Sequence, residues 1–160
     1  MPARLVPWLY WTLVAGLLVA PSWMGFPSRE AGASPAYYVR VKVETANLRM
    51  GPSLSAEPVR YAYENEPLRV MARQGDWVKI RDFEGESAWI YGPLTDRRSA
   101  VVVTRDLVNV REQPGTDHPV VFTAERAVNL LVLDRRGPWL HVQHDLGDGW
   151  VHDSLVWGEP

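Results

Sequence analysis

The chain has 160 residues, of which 46% are hydrophobic and 22% charged, and its formal net charge is −2 at pH 7. A chain so close to neutral lacks the concentrated positive charge with which proteins bind nucleic acid or anionic membranes. It contains no cysteine, which excludes disulfides, thiolate nucleophiles and cysteine-ligated zinc sites.

The first 36 residues differ in character from the rest. Arg4 precedes the segment 5–26, which carries no charged side chain, and small residues follow at 31–33. This pattern predicts an export signal that is cleaved near the small residues. The apolar run is also long enough to span a bilayer, so an uncleaved anchor is the alternative. In either case we expect residues after about 37 to lie beyond the inner membrane, in the periplasm or anchored facing it.

Residues 37–96 read as short strands separated by turns. Valines at 39, 41 and 43 alternate with charged residues, which is the period of a half-buried strand. Glycines at 75 and 85 mark turns on either side of the alternating segment 77–81. The sequence predicts strands at 39–43, 59–63, 68–71, 77–81 and 88–91, followed by a 3₁₀ turn at 92–94.

Residues 100–160 repeat this plan after a short charged link at 95–99. The motif Asn47-Leu48-Arg49 returns as Asn109-Val110-Arg111, and Trp77 and Trp89 return as Trp139 and Trp150, at an offset of 61 or 62 residues. Turns are expected at 136–138 and 147–149, and strands at 101–103, 121–123, 129–133, 140–142 and 150–152. Self-similarity at a fixed period predicts a duplicated structural unit.

Taken together, these motifs resemble the bacterial SH3-like domain, called SH3b. The resemblance covers about 43–95 and 103–157. It implies an all-β fold of two tandem small SH3-like β-barrels, at 37–96 and 100–160, behind the signal or anchor at 1–36. It also implies non-catalytic binding at the cell envelope, often of peptidoglycan or its peptides.

Six residues are candidates for ligand contact, because aromatic side chains provide stacking platforms. Tyr61, Tyr63 and Tyr91 in the first copy are aligned with Phe122, Ala124 and His152 in the second, and the copies differ there. Trp89 and Trp150 should point away from the core, since Ile90 and Val151 face inward. The ligand-contact candidates are Tyr61, Tyr63, Trp89, Tyr91, Trp150 and His152.

Six matched residues are assigned to the fold itself. Trp77 and Trp139 are expected to pack in the core or at the barrel rim, and the asparagines to bond nearby backbone at a loop boundary. The two arginines are expected to be solvated or paired. The fold residues are Asn47, Arg49, Trp77, Asn109, Arg111 and Trp139.

No catalytic or metal site is predicted. His141 and His144 lie three apart on a strand and should face opposite sides, which argues against a metal site. His152, Asp153 and Ser154 are adjacent in sequence, whereas a triad is built by geometry. We therefore predict no cofactor and no enzymatic activity.

The sequence thus predicts an exported monomer that binds a cell-wall peptide or glycan, or an extended protein segment. It should bind no nucleic acid, and should contact membrane only through an uncleaved N-terminus. The alternative is a membrane-anchored accessory or assembly factor for a periplasmic or inner-membrane protein. A cell-wall hydrolase is the third hypothesis, although no nucleophile, metal set or acid–base pair can be assembled for it.

Overall fold

A computed structural model describes residues 37–159, and the predicted signal or anchor at 1–36 lies outside them. The described part is all-β and contains two seven-stranded antiparallel sheets, each with a single 3₁₀ turn. We call residues 38–96 the first module and residues 100–159 the second module. No helix between residues 37 and 159 has the length and hydropathy of a membrane span.

The strands of the first module are ordered β3-β2-β6-β5-β4-β1-β7 in their sheet. A 3₁₀ turn at Gly92–Leu94 follows β6, as predicted. The strands are β1 Tyr38–Val41, β2 Thr45–Arg49, β3 Pro58–Tyr63, β4 Pro67–Gln74, β5 Trp77–Arg81, β6 Ser87–Tyr91 and β7 Thr95–Asp96.

The second module has the same strand order, β10-β9-β13-β12-β11-β8-β14. Its 3₁₀ turn spans Asp153–Leu155. The strands are β8 Ala100–Val103, β9 Leu107–Arg111, β10 Val120–Glu125, β11 Asn129–Arg136, β12 Trp139–His144, β13 Gly147–His152 and β14 Val156–Glu159.

Each sheet surrounds a hydrophobic core of its own, built from alternate residues of its strands. In β5, Val78 and Ile80 are fully buried while Lys79 and Arg81 are exposed, which confirms the predicted period of two. The apolar side chains are buried on one face of the strand, and the charged side chains remain solvated on the other.

Four sequence predictions about the strands are wrong. Residues 95 and 96, predicted to belong to the link, form strand β7. The first strand ends at Val41, so Val43 lies in the bend that follows it. The motifs containing Asn47 and Asn109 form strands β2 and β9, not loop boundaries. Residues 147–149 begin β13, and the turn falls just before them, at 145–146.

Gly149 is required where it is because β13 crosses close to β9. A Cβ atom at this position would lie 2.7 Å from Cγ1 of Val110 and 2.8 Å from the carbonyl oxygen of Arg111. The glycine that suggested a turn is therefore explained by a close approach of two strands.

The register of the two hairpins corrects the alignment of the copies. Asn47 lies opposite Tyr61, and Asn109 lies opposite Thr123. Tyr61 therefore corresponds to Thr123, and the predicted match of Tyr61 with Phe122 is wrong by one residue. A shift of one residue changes the face of the sheet, which is why Tyr61 is 56% exposed and Phe122 only 9%.

The same shift applies to Tyr63, which corresponds to Glu125 and not to Ala124. Ala62 lies opposite Ala46 in the first hairpin, and Ala124 lies opposite Val108 in the second, so Ala62 and Ala124 are equivalent. Tyr63 is 57% exposed, whereas Ala124 is buried. The exposed tyrosines of β3 thus have no aromatic counterpart on β10.

The link between the modules is fastened to the first module by a buried arginine. The guanidinium of Arg40, 6% exposed, donates to both carboxylate oxygens of Asp96 at 2.8 Å. Asp96 also accepts a hydrogen bond from the backbone N–H of Arg98. Across the junction, the Tyr38 and Trp157 rings meet edge to face, 5.1 Å between centroids.

Candidate functional site

Each module places an aromatic pair at the end of the same strand hairpin. Trp77 lies opposite Tyr91 across β5 and β6, with ring centroids 5.6 Å apart. Trp139 lies opposite His152 across β12 and β13, with ring centroids 5.2 Å apart and the rings nearly perpendicular. All four side chains are half-buried and lie outside the two cores. Of the two places predicted for Trp77 and Trp139, the core or the barrel rim, they thus take the rim.

The local sequence explains why these rings meet. Gly75 and Gly137 adopt positive φ, +55° and +58°, and close tight turns that leave each tryptophan as the first residue of its strand. The facing residue ends the next strand, and a 3₁₀ turn follows it. The chain is held there by a backbone hydrogen bond, from Gly92 to Asp76 at 2.7 Å and from Asp153 to Pro138 at 2.8 Å.

In the second module this pair forms one wall of a groove of about 440 Å³. The 3₁₀ turn and strand β9 form the other walls. We call it the aromatic groove; it is lined by, among others, Leu107, Asn109, Arg111, Trp139, His152 and Ser154.

Hydrogen bonds fix the imidazole at the rim of the aromatic groove. Nδ1 of His152 accepts from the backbone N–H of Ser154 at 3.3 Å and lies 2.8 Å from its hydroxyl oxygen. Because Nδ1 is an acceptor, the neutral ring carries its hydrogen on Nε2. In that form the 3.5 Å approach of Asp153 to Nδ1 is not an ion pair. The groove thus combines the apolar ring of Trp139 with the polar imidazole of His152.

The arginines of the repeated motif each hold the loop that follows their own strand. The guanidinium of Arg49 donates to the carbonyl of Ala56, and that of Arg111 donates to the carbonyl of His118, each at 2.7 Å. Both arginines, predicted to be either solvated or paired, are thus hydrogen-bonded to backbone carbonyls. The repeated asparagines make no side-chain hydrogen bond within residues 37–159, so their predicted backbone bond is wrong, and Asn109 instead lines the aromatic groove.

The two tryptophans predicted to point outward differ from each other. Trp89 is half-buried on β6. Trp150 is only 6% exposed, because the His141 ring stacks on it at 4.9 Å and the Arg136 guanidinium lies 4.9 Å from it. The expectation that Trp150 is partly exposed is therefore wrong: other residues of its own module cover that face.

The six candidates for ligand contact thus fall in separate places. Tyr91 and His152 belong to the two aromatic pairs, and Trp89 and Trp150 do not join them in one continuous groove. Tyr61 and Tyr63 lie elsewhere, in a cleft between the modules, with Phe83 and Asn129. The prediction missed Phe83 and Asn129 because contact between the modules, and not any local pattern, places them there.

Charge in this region is concentrated at Arg60. Its guanidinium donates to the carboxylates of Glu66 and Asp82 at 2.7 Å each. Burial alone would lower the pKa of Arg60, but the hydrogen bonds and the attraction of the two carboxylates outweigh it and raise that pKa above its ordinary value. Arg60 is therefore a permanent cation held between two buried anions.

Three of the histidines lie in different environments. His141 stacks on Trp150, His144 stacks on Phe122, and His152 lies in the aromatic groove. Within residues 37–159 no three His, Asp or Glu side chains are grouped closely enough to share a metal ion.

Comparison with known proteins assigns a family to each module. Residues 44–95 match one family described as bacterial SH3 domain, and residues 104–158 match a second family with the same description. Of the curated proteins, a Bacillus subtilis (strain 168) protein named "Putative N-acetylmuramoyl-L-alanine amidase YrvJ" is 24% identical over 127 residues. That match covers 72% of this chain and 24% of the relative.

Solved structures that resemble the chain include NlpC2 and NlpC1 from Trichomonas vaginalis, each 10% identical, with TM-scores of 0.36 and 0.37. They also include an NlpC/P60 family protein from Bacillus cereus ATCC 10987, 15% identical, with a TM-score of 0.34. These matches cover 78%, 81% and 75% of this chain, and 48%, 48% and 55% of the respective structures. The chain therefore spans about a quarter of the curated relative and about half of each solved chain.

Proposed function

Because this chain belongs to the bacterial SH3 domains, with one domain in each module, we propose that it is a non-catalytic cell-wall-binding protein. Its ligand is peptidoglycan, recognised through the peptide or the glycan that the aromatic groove can hold. The observation that carries the proposal is the aromatic pair that both modules place beside their 3₁₀ turn, Trp77 with Tyr91 and Trp139 with His152.

The chemistry of the groove supports a ligand with an apolar face and polar edges. Ring faces provide area for stacking at a small entropic cost, and the polar groups around them fix orientation. The tryptophans are half-buried while their partners sit at the end of a strand. An aromatic wall at the end of a hairpin suits an extended cell-wall segment better than a deep pocket would.

The curated relative supports peptidoglycan as the ligand class. Its name is that of an N-acetylmuramoyl-L-alanine amidase, and N-acetylmuramoyl-L-alanine is a unit of peptidoglycan. The chain matches only 24% of that protein, and we propose that the shared part is its wall-binding part. The non-catalytic role rests on the sequence, which has no cysteine and no assembled acid–base set.

A cell-wall ligand also implies a location at the envelope, in accordance with the export segment predicted at 1–36. Mass spectrometry of the mature N-terminus from envelope fractions tests this. A start near residue 34 or 37 indicates a cleaved signal, an intact N-terminus indicates an anchor, and a protein confined to the cytosol contradicts the location.

Sedimentation with purified sacculi tests the binding. We expect the full chain to pellet with sacculi, and the double variant Trp77→Ala, Trp139→Ala to lose roughly tenfold or more of its affinity, as for the loss of central aromatic contacts. Met71→Ala is the matched control, because Met71 is 44% exposed on β4 and outside the groove. Full retention of the wild-type protein in the supernatant contradicts wall binding, and release of soluble muropeptides contradicts the non-catalytic role.

A further inference from the structure

A second concave surface lies between the two modules, away from the aromatic groove. This cleft has a volume of about 500 Å³. Tyr61 and Tyr63, two residues apart on β3 and more than half exposed, form one side. Phe83 forms part of another, and Ala127 and Asn129 of the second module complete it.

The charged groups around the inter-module cleft leave a carboxylate in excess. Arg60 is bonded to both Glu66 and Asp82. The guanidinium of Arg126 donates to the Thr104 carbonyl, lies 5.3 Å from the Phe83 ring, and reaches Glu84 only at 3.4 Å. The cleft itself is lined by one cation, Arg60, and two carboxylates, Glu66 and Glu84, and the Glu84 side chain is 58% exposed. Electrostatics at the cleft favour a cationic ligand over an anionic one.

Asn129 adds an unused acceptor to this wall. Its Oδ1 atom is buried and accepts no hydrogen bond from residues 37–159. Its Nδ2 bond to the Glu64 carbonyl is long, at 3.4 Å, so little holds the amide in this orientation. Rotation of this side chain on ligand binding would let a donor from a ligand in the cleft satisfy the acceptor.

Strand β3 is an edge strand of its sheet, but it is guarded against pairing with a further strand. Its Tyr63 N–H donates to the Glu66 carboxylate, and its Tyr61 carbonyl accepts from Arg60. Because these outward backbone groups are occupied, a ligand gains little from main-chain pairing along β3. Recognition therefore falls to the ring faces of the tyrosines and to the acceptors.

Aromatic faces beside the exposed Glu84 carboxylate, which Arg126 contacts only at 3.4 Å, and beside the Asn129 amide oxygen are suited to an ammonium group. The ring quadrupole and the acceptors both attract such a group. We propose that the inter-module cleft is a second binding site, and that its ligand is an extended peptide carrying a lysine-like primary ammonium group. The apolar stem of such a side chain covers Tyr61 and Tyr63 while its ammonium group reaches Glu84 and Asn129. The inference does not depend on the aromatic groove.

Titration of the ¹⁵N-labelled full chain with the capped tripeptide Ala-Lys-Ala tests the proposal by NMR. We expect shifts of the Asn129 side-chain amide and of the backbone of residues 61–63. Acetylation of the lysine Nε should weaken binding by about tenfold, and Tyr63→Ala or Glu84→Gln by roughly three- to tenfold, the size of exposed cation–π and ionic contacts. Both positions are exposed, so these variants fold.

Trp139→Ala separates this site from the aromatic groove, and its binding of the tripeptide should equal that of the wild type. The proposal is overturned if the acetylated peptide binds equally well, if the shifts appear at Trp77 and Trp139, or if a tetramer of N-acetylglucosamine occupies the cleft more tightly. Loss of sacculus binding in the aromatic-groove variants with intact tripeptide binding would support both sites separately.

Discussion

Arg60 in the first module and Phe122 in the second occupy the same position in the fold. Arg60 lies opposite Leu48 across β2 and β3, and Phe122 lies opposite Val110 across β9 and β10. Their surroundings differ in the same way. Arg60 bonds two carboxylates, whereas Phe122 stacks on an imidazole, with centroids 5.7 Å apart.

The partners of these two residues correspond as well. Glu66 and Val128 each donate a backbone N–H to the residue three before them, at 3.0 and 3.2 Å. Asp82 and His144 each accept the backbone N–H of the residue two after them, at 3.1 and 3.2 Å. One chain therefore contains an ionic and an apolar version of the same cluster.

This correspondence predicts opposite results for single and triple substitutions. Arg60→Leu leaves the buried carboxylates of Glu66 and Asp82 without a cation, and should lower the free energy of unfolding by about 3 kcal/mol. The triple change Arg60→Phe, Glu66→Val, Asp82→His installs the cluster of the second module. It should restore stability to within about 1 kcal/mol of the wild type, as measured by urea unfolding.

The control for this series is Arg69→Leu, which removes a half-buried arginine of β4 that takes part in no ion pair within residues 37–159. It should cost far less than Arg60→Leu. A triple variant as unstable as the single one would show that the first module depends on the ionic cluster itself.

The fold could be predicted from the sequence where side chains alternate, and less well where they do not. Strand β5 and the 3₁₀ turn at 92–94 were predicted with their correct bounds because Val78 and Ile80 repeat with period two and Gly92-Pro93 stops the strand. Strand β2 was missed because its alternate apolar residues, Ala46 and Leu48, are too few to mark a strand. The tyrosines of β3 were misaligned because an offset of 61 residues was applied to them, whereas the strand register shows an offset of 62.

The link between the modules should respond to acid through Asp96. Burial alone would raise the pKa of Asp96, but hydrogen bonds from Arg40 and from the Arg98 N–H outweigh it and hold that pKa below its usual value of 3.8. A carboxyl whose pKa is lower in the folded state stabilises the protein above its unfolded pKa. That contribution is lost as the pH falls through the folded pKa.

Asp96→Asn tests this sign. At pH 7 the variant should be less stable than the wild type by about 2 to 3 kcal/mol, since it leaves buried Arg40 without a counterion. The difference should shrink as the pH falls below about 4, in urea unfolding at several pH values. Asp148→Asn, at an exposed position on β13 without an ion pair in the described residues, is the control. A difference that is constant with pH would contradict the role of the Asp96 charge.

The two kinds of tryptophan in the second module should separate stability from binding. Trp150 is 6% exposed beneath His141 and Arg136, so Trp150→Ala should destabilise the protein by about 3 kcal/mol. Trp139→Ala, at the rim, should cost less stability and more affinity for sacculi. Thermal unfolding and sacculus sedimentation on the same samples measure both quantities. If the two variants lost equal affinity for sacculi when compared at the same folded fraction, the separate roles of Trp150 and Trp139 would be contradicted.

The site was harder to predict than the fold because its parts come from different strands. The sequence identified Tyr91 and His152 by their aromatic character, but the pairing that brings them to Trp77 and Trp139 is a property of the hairpin register. The burial of Trp150 depends on residues nine and fourteen positions before it in the chain, His141 and Arg136. The spacing of residues along one strand does not predict contacts with residues of other strands.

The repeated arginines provide a test of how the aromatic groove is held open. Arg111 fixes the loop 112–119 through the His118 carbonyl, and the Glu112 N–H donates to the Pro119 carbonyl at 3.0 Å. Arg111→Met keeps most of the side-chain volume and removes the hydrogen bond, which is worth about 1 to 2 kcal/mol. Hydrogen exchange at Glu112 should accelerate by roughly five- to twentyfold.

Arg49→Met is the matched variant, because Arg49 makes the same bond to Ala56 in the first module. It should accelerate exchange at Met50, whose N–H donates to Glu57 at 2.9 Å, and leave Glu112 unchanged. Because Arg111 also lines the aromatic groove, Arg111→Met should weaken binding to sacculi as it loosens the loop. Faster exchange with unchanged binding would show that the loop is not part of the ligand contact, and would confine recognition to the aromatic pair and the 3₁₀ turn.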